Sequence, residues 1–114
     1  MREKFLMKIY IDTSSNQKTI VRVGEAKIIK HNNVWRSQIV LPMIANMLQK
    51  QGSTLSDISE IEVVDGICLP AGRQGSFTGL RVGVTIANAL GYALKIPVNG
   101  KNVDKLEIVE PVYQ

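Results

Sequence analysis

The spacing of apolar residues changes period along the chain, and each change marks an element. From Phe5 to Asp12 the residues are largely apolar and rich in Ile and Leu, as in a first strand, and the run ends in the polar turn Asp12-Thr13-Ser14-Ser15-Asn16-Gln17. Thr19–Val23 is β-branched and predicts a second strand; after Gly24-Glu25, Ala26–Lys30 predicts a third, so the three form an antiparallel meander. After Asn33 the period becomes helical. Val40, Leu41, Ile44, Met47 and Leu48 fall on one broad face, Ser37 can cap the start, and Gly52 ends the run. Pro42 sits inside this helix and removes one backbone hydrogen bond. Ile61–Val64 returns to a strand. A loop covers Asp65–Gly75, a second helix runs from Thr78 or Gly79 to Leu94, and Ile96-Pro97-Val98 reads as the next strand. Leu106–Val109, within the tail 101–114, is a candidate last strand.

The order βββαβαβ predicts an α/β fold: a mixed sheet in which an antiparallel meander is followed by βαβ crossovers. This is the ribonuclease-H-like arrangement, shared by each lobe of the actin-like ATPases. At 114 residues the chain has room for a single such lobe, residues 1–114. Only three Tyr, two Phe and one Trp are present, so the core must be built from Ile, Val, Leu, Met and Ala.

Composition removes several function classes. The single cysteine, Cys68, excludes an internal disulfide, and no Cys/His cluster has metal-ligand spacing. The one histidine, His31, lies in the polar stretch Lys30-His31-Asn32-Asn33, as a surface loop residue does, and is poorly placed for Ser/His/Asp catalysis. No apolar run approaches the ~20 residues that cross a bilayer, and the N-terminus lacks a signal-peptide pattern; a cytoplasmic location is expected. The net charge of +4 comes from scattered lysines, which reads as solubilising charge with at most a weak role in contacting RNA.

Two segments could carry chemistry. Asp12, with Thr13 and Ser14, closes the first strand. A carboxylate there can hold a hydrated magnesium ion or approach a phosphate, or it can cap a tight turn through its own backbone. Gly75-Ser76-Phe77-Thr78-Gly79-Leu80-Arg81-Val82-Gly83 leads directly into the second helix. Free N–H groups at such a turn can bind an anion, with Ser76 and Thr78 as further contacts, although the turn lacks a P-loop lysine and dinucleotide-fingerprint spacing. It reads equally as a packing turn, with Gly83 letting the helix lie close to the sheet.

The second helix is apolar around most of its circumference. Arg81, Thr85, Asn88 and Tyr92 form one narrow polar stripe; nearly every other position is apolar or small. Either the helix is sandwiched within the domain, or a partner covers it. The small size of the domain favours a partner. The expected contact surface combines Val40, Ile44 and Met47 of the first helix with Arg81, Val84, Thr85, Asn88 and Tyr92 of the second.

Three blocks together resemble the TsaB (YeaZ) family: Ile11-Asp12-Thr13-Ser14, Ser37-Gln38-Ile39-Val40-Leu41-Pro42-Met43-Ile44, and Gly75-Ser76-Phe77-Thr78-Gly79-Leu80-Arg81-Val82-Gly83, with Ile96-Pro97-Val98 also in place. The resemblance implies an actin-like lobe and a non-catalytic role in tRNA threonylcarbamoyladenosine modification. It implies a scaffold for the catalytic paralogue TsaD, a TsaE-like ATPase as a further partner, self-association into a homodimer, and only indirect contact with tRNA. Both pairings would use the two helices. The family has a second lobe beyond the point where this chain stops, so no cofactor is expected here, and ATP would bind only with a partner or second lobe. Residues 65–75 lengthen the loop that the family keeps short, and Arg36 stands where the family has a histidine. Two other readings compete: a metal-dependent nuclease of the ribonuclease-H fold using Asp12 and Asp65, and a truncated lobe without activity.

Overall fold

A six-residue strand at the centre of the sheet, β1 (Met7–Asp12), organises the fold. The computed structural model describes residues 7–15, 17–31, 36–66, 77–102 and 107–111. Met7, Ile9 and Ile11 of β1 are buried on one face, while Lys8, Tyr10 and Asp12 point to the other, as the two-residue period of a strand dictates. β2 (Lys18–Val23) pairs antiparallel with β1, and β3 (Ala26–His31) pairs antiparallel with β2. Their connection turns at Gly24, whose φ of +61° suits a residue without a side chain; a Cβ there would lie 2.8 Å from Met7 Cε. β4 (Ile58–Val63) lies on the other side of β1 and runs parallel to it, giving the order β3-β2-β1-β4. This is the ribonuclease-H-like topology that the element order predicted. His31 ends β3 and is exposed, so it belongs to an edge strand rather than to a loop.

Two helices cover one face of the sheet. α1 (Arg36–Lys50) starts one residue before the predicted cap, Ser37, and carries Pro42 on its exposed side. Val40, Met43, Ile44, Met47 and Leu48 enter the core. α2 (Phe77–Leu94) buries Leu80, Val84 and Ala87 against β1 and β4. Interior positions from the sheet and both helices meet in one cluster, together with Val98 and Val109.

Three predicted boundaries shift. β4 begins at Ile58, three residues earlier than expected, because Met7 and Lys8 extend the parallel pairing down to Ile58 and Glu60. Ile96-Pro97-Val98 is a single bridge rather than a strand. The Ile61 amide donates to the Pro97 carbonyl at 3.0 Å, and the Asn99 amide donates to the Ile61 carbonyl at 2.9 Å. The ladder stops there because Asn99 and Gly100 adopt φ of +50° and +78° and fold the chain back, so that Val98 pairs with Lys101. The candidate last strand is also absent from the described part of the tail: residues 107–111 are irregular, and Leu106 lies outside the described residues. Val109 cannot join a ladder, since a side-chain amide takes both its backbone groups.

Candidate functional site

The end of β1 is a structural junction. Asp12 accepts hydrogen bonds from the Ser14 amide at 3.0 Å and the Ser14 hydroxyl at 2.6 Å, an Asx turn that caps the end of the strand. Thr13 is wholly buried. Its hydroxyl donates to the Gly79 carbonyl and accepts from the Gly83 amide at 3.0 Å, so β1 is stapled to the opening turns of α2. A Cβ on Gly83 would collide with Thr13 Oγ1, which explains the glycine that begins the helix's close approach. The candidate phosphate turn is thereby reassigned in part. Thr13 faces protein, Thr78 is exposed on the first turn of α2, and Ser76 lies outside the described residues.

Both carboxylates of the nuclease reading, Asp12 and Asp65, have local hydrogen-bond partners. The second carboxylate proposed for it, Asp65, accepts from Asn99 Nδ2 at 3.3 Å. Asn99 also donates from Nδ2 to the Val63 carbonyl at 2.9 Å and accepts at Oδ1 from the Val63 amide at 2.8 Å, imitating the backbone of a missing strand. Among the described residues, no group of three or more His, Cys, Asp or Glu side chains could hold a metal ion. The sequence did not single out Asn99, although Asn99-Gly100 is a turn signal that could have drawn attention to it.

The predicted contact surface divides in two. Val40, Ile44, Met47 and Val84 are buried and pack the helices onto the sheet, so they are corrected from surface to core. The physical reason is amphipathicity: on both helices the most apolar arc faces the sheet. Asn88 is half-buried and also withdrawn, because Nδ2 donates to the Val109 carbonyl at 2.9 Å and Oδ1 accepts from the Val109 amide at 3.1 Å. Arg81, Thr85 and Tyr92 do line the outer stripe of α2, with Tyr92 61% exposed.

Beside that stripe, Thr78, Ala89 and Ala93 are exposed, and Val82, Ile86 and Leu90 are partly exposed. On α1 the exposed residues include Leu41, 47% exposed, Pro42 and Ala45, with the polar Asn46, Gln49 and Lys50 beside them. Between the helices Leu41, Leu48, Leu55 and Leu90 line an apolar groove of about 460 Å³. Small and aliphatic residues thus share the outer face of the two helices with Arg81, Thr85, Asn46 and Gln49.

The opposite face of the sheet is charged. Lys8 lies 3.9 Å from Glu60 and forms an ion pair with Glu62, and the hydrogen bond from Lys8 to Glu62 holds the ammonium pKa above its ordinary value. Burial, with the nearby Asp12 and Glu62 carboxylates, pushes the Tyr10 phenol up. A depression of about 640 Å³ next to them is lined by Lys8, Tyr10, Glu62, Asp65 and Asn99. Among the described residues, no helix is long and apolar enough to cross a membrane.

Comparison with known proteins places this architecture. Residues 35–107 match the family model described as TsaD: tRNA N6-adenosine threonylcarbamoyltransferase. The tRNA threonylcarbamoyladenosine biosynthesis protein TsaB of Escherichia coli (strain K12) is 28% identical over 93 residues, covering 79% of this chain and 37% of that protein. TsaB of Bacillus subtilis (strain 168) is 29% identical over 121 residues, covering 90% of this chain and 48% of its own length. Among solved structures, YeaZ from Pseudomonas aeruginosa superposes with a TM-score of 0.65 at 24% identity, over 82% of this chain and 42% of that one. The chain therefore spans less than half the length of these relatives. The likeness fixes the fold as a ribonuclease-H-like lobe of the actin-like kind.

Proposed function

The chain belongs to the TsaD family, in its TsaB/YeaZ branch, and on that basis we propose that it is a non-catalytic scaffold for tRNA threonylcarbamoyladenosine modification, binding a TsaD-like paralogue through the outer face of α1 and α2. The observation that carries this reading is the apolar outer surface of two helices whose core-facing sides are already satisfied: Leu41 and Tyr92 are 47% and 61% exposed beside Ala45, Ile86, Ala89 and Ala93. Small residues at 89 and 93 allow a second pair of helices to approach closely. Asp12 and Thr13, the residues best placed for chemistry, are engaged in turn and helix anchoring, which supports a structural role.

In this reading the lobe acts in the cytoplasm and reaches tRNA only through its partner. It carries no cofactor of its own, and ATP binds only where a partner or second lobe completes a cleft. Self-association and engagement of a TsaE-like ATPase complete the proposal.

Co-purification with the TsaD-like protein of the same organism tests it. The unmodified chain forms a stable complex. Ala89→Glu, at an exposed helix position, weakens that complex at least about tenfold, since a charge in the centre of an apolar interface is desolvated without a partner. Its circular dichroism stays unchanged. Val84→Asp, by contrast, unfolds the lobe. An unmodified chain that ignores the TsaD-like protein, or an Ala89→Glu variant that binds it normally, refutes the reading.

A further inference from the structure

Asn99 precedes Gly100, and none of the chain's other asparagines precedes a glycine. That dipeptide has two properties. It suits a two-residue hairpin loop, because both positions tolerate positive φ. Here it forms one: Asn99 and Gly100 adopt φ of +50° and +78°, and Val98 and Lys101 exchange both backbone hydrogen bonds at 2.9 Å. It is also the context in which an asparagine most readily loses its side-chain amide, because glycine has no side chain to hinder its own nitrogen.

In the folded lobe the Asn99 amide is held away from that attack. Nδ2 donates to the Val63 carbonyl at 2.9 Å and to Asp65 Oδ2 at 3.3 Å, and Oδ1 accepts from the Val63 amide at 2.8 Å. Both polar atoms of a planar group are bonded to the end of β4 and the residues that follow it. The group cannot swing back onto the Gly100 nitrogen while these bonds and the hairpin stand.

We propose that Asn99 is a deamidation site gated by its pairing with Val63, and that its conversion releases the 98–101 hairpin from β4. When the turn opens, the Gly100 nitrogen attacks Asn99 Cγ. The new C–N bond closes a cyclic imide, the Cγ–Nδ2 bond breaks, and ammonia leaves with the proton of the Gly100 amide. Water then opens the imide at either carbonyl, which gives aspartate or isoaspartate at position 99. Neither product restores the lock. An aspartate still accepts from the Val63 amide but has nothing to donate to the Val63 carbonyl, and it sets a carboxylate against Asp65 where an amide had been. An isoaspartate adds a methylene to the main chain and spoils the pairing of Val98 with Lys101. The bonds from the Ile61 amide to Pro97 and from the Asn99 amide to Ile61 then loosen, so the edge of the sheet beyond β4 is lost. The site is independent of the helix face and of any partner bound there.

The full chain, incubated in parallel folded and in urea, tests the proposal, with conversion read by peptide mass mapping and isoaspartyl-specific methylation. In urea Asn99 converts before every other asparagine, and Gly100→Ala slows it at least about tenfold by hindering the nitrogen. In the folded chain conversion is at least about tenfold slower than in urea, because it waits on an opening that breaks the side-chain bonds of Asn99. Asn99→Asp reproduces the product: amide exchange at Ile61 and at position 99 quickens at least about tenfold while β2 keeps its protection, and adding Asp65→Asn recovers part of the loss. Several results overturn the proposal: an Asn99 that converts as fast folded as unfolded, another asparagine that converts first in urea, or a Gly100→Ala chain that converts at the original rate. So do an Asn99→Asp chain whose exchange at Ile61 is unchanged or quickens equally in β2, and a double variant no better protected than Asn99→Asp alone.

Discussion

Gly83→Ala is the most informative single substitution in this lobe. In an isolated helix the change stabilises by about 1 kcal/mol, because alanine loses less backbone entropy. Here the new methyl group would occupy the space of Thr13 Oγ1, while Ile11 Cγ2 and Thr13 Cβ stand at an ordinary 3.5 Å. Thr13 is wholly buried and its hydroxyl joins the Gly79 carbonyl to the Gly83 amide. Relieving the collision costs about 1–3 kcal/mol of overpacking, and the two displaced hydrogen bonds about 1 kcal/mol each. After the helix gain is subtracted, a net loss of about 2–4 kcal/mol remains, on the order of 10–20 °C in Tm for a domain of this size. Denaturant unfolding in a double-mutant cycle with Thr13→Ala isolates the cause. Thr13→Ala alone costs about 2 kcal/mol. In that background the hydroxyl is gone, so Gly83→Ala becomes neutral or gains up to about 1 kcal/mol. An equal cost for Gly83→Ala in both backgrounds, or no cost in the unmodified chain, would refute the view that Thr13 staples β1 to α2.

Two further outcomes follow from the geometry. Asn99→Ala loses the paired hydrogen bonds to Val63 and places a side chain without a local acceptor at φ +50°, at a cost of about 2 kcal/mol; Asn99→Gly keeps the conformation and costs roughly half as much in the same urea titration. Tyr10 has a phenol pKa raised by burial in the folded lobe, so its contribution is intact below about pH 10 and stability falls as pH rises through the folded value. A Tyr10→Phe variant flattens this alkaline decline in the unfolding midpoint, and an unchanged decline would assign it elsewhere.

Much of this arrangement was legible in the residues themselves. The largely apolar run from Phe5 to Asp12 and the β-branched run from Thr19 marked the central strands, because such residues suit a pleated sheet with a buried face. The polar stripe Arg81, Thr85, Asn88 and Tyr92 at helical spacing marked α2. Gly83 announced a close approach before its neighbour was known. Strand ends were harder. Ile96–Val98 has the composition of a strand, yet its pairing stops where Asn99 and Gly100 turn and a side-chain amide replaces the backbone.

The sequence by itself determined the order of elements and the polar stripe of α2, since both depend on local periods and on residues that can or cannot turn. Only the tertiary structure decided which arc of each helix meets the sheet. Val40, Ile44, Met47 and Val84 proved to be core, while Leu41, Ala45, Ile86 and Ala89 face outward or line the rim. On α2 the apolar residues extend beyond the arc that the sheet buries, so the period alone leaves its rotation open; the neighbours fix it, through the hydroxyl of Thr13 bonded at Gly83 and through the tail residue Val109 that occupies Asn88.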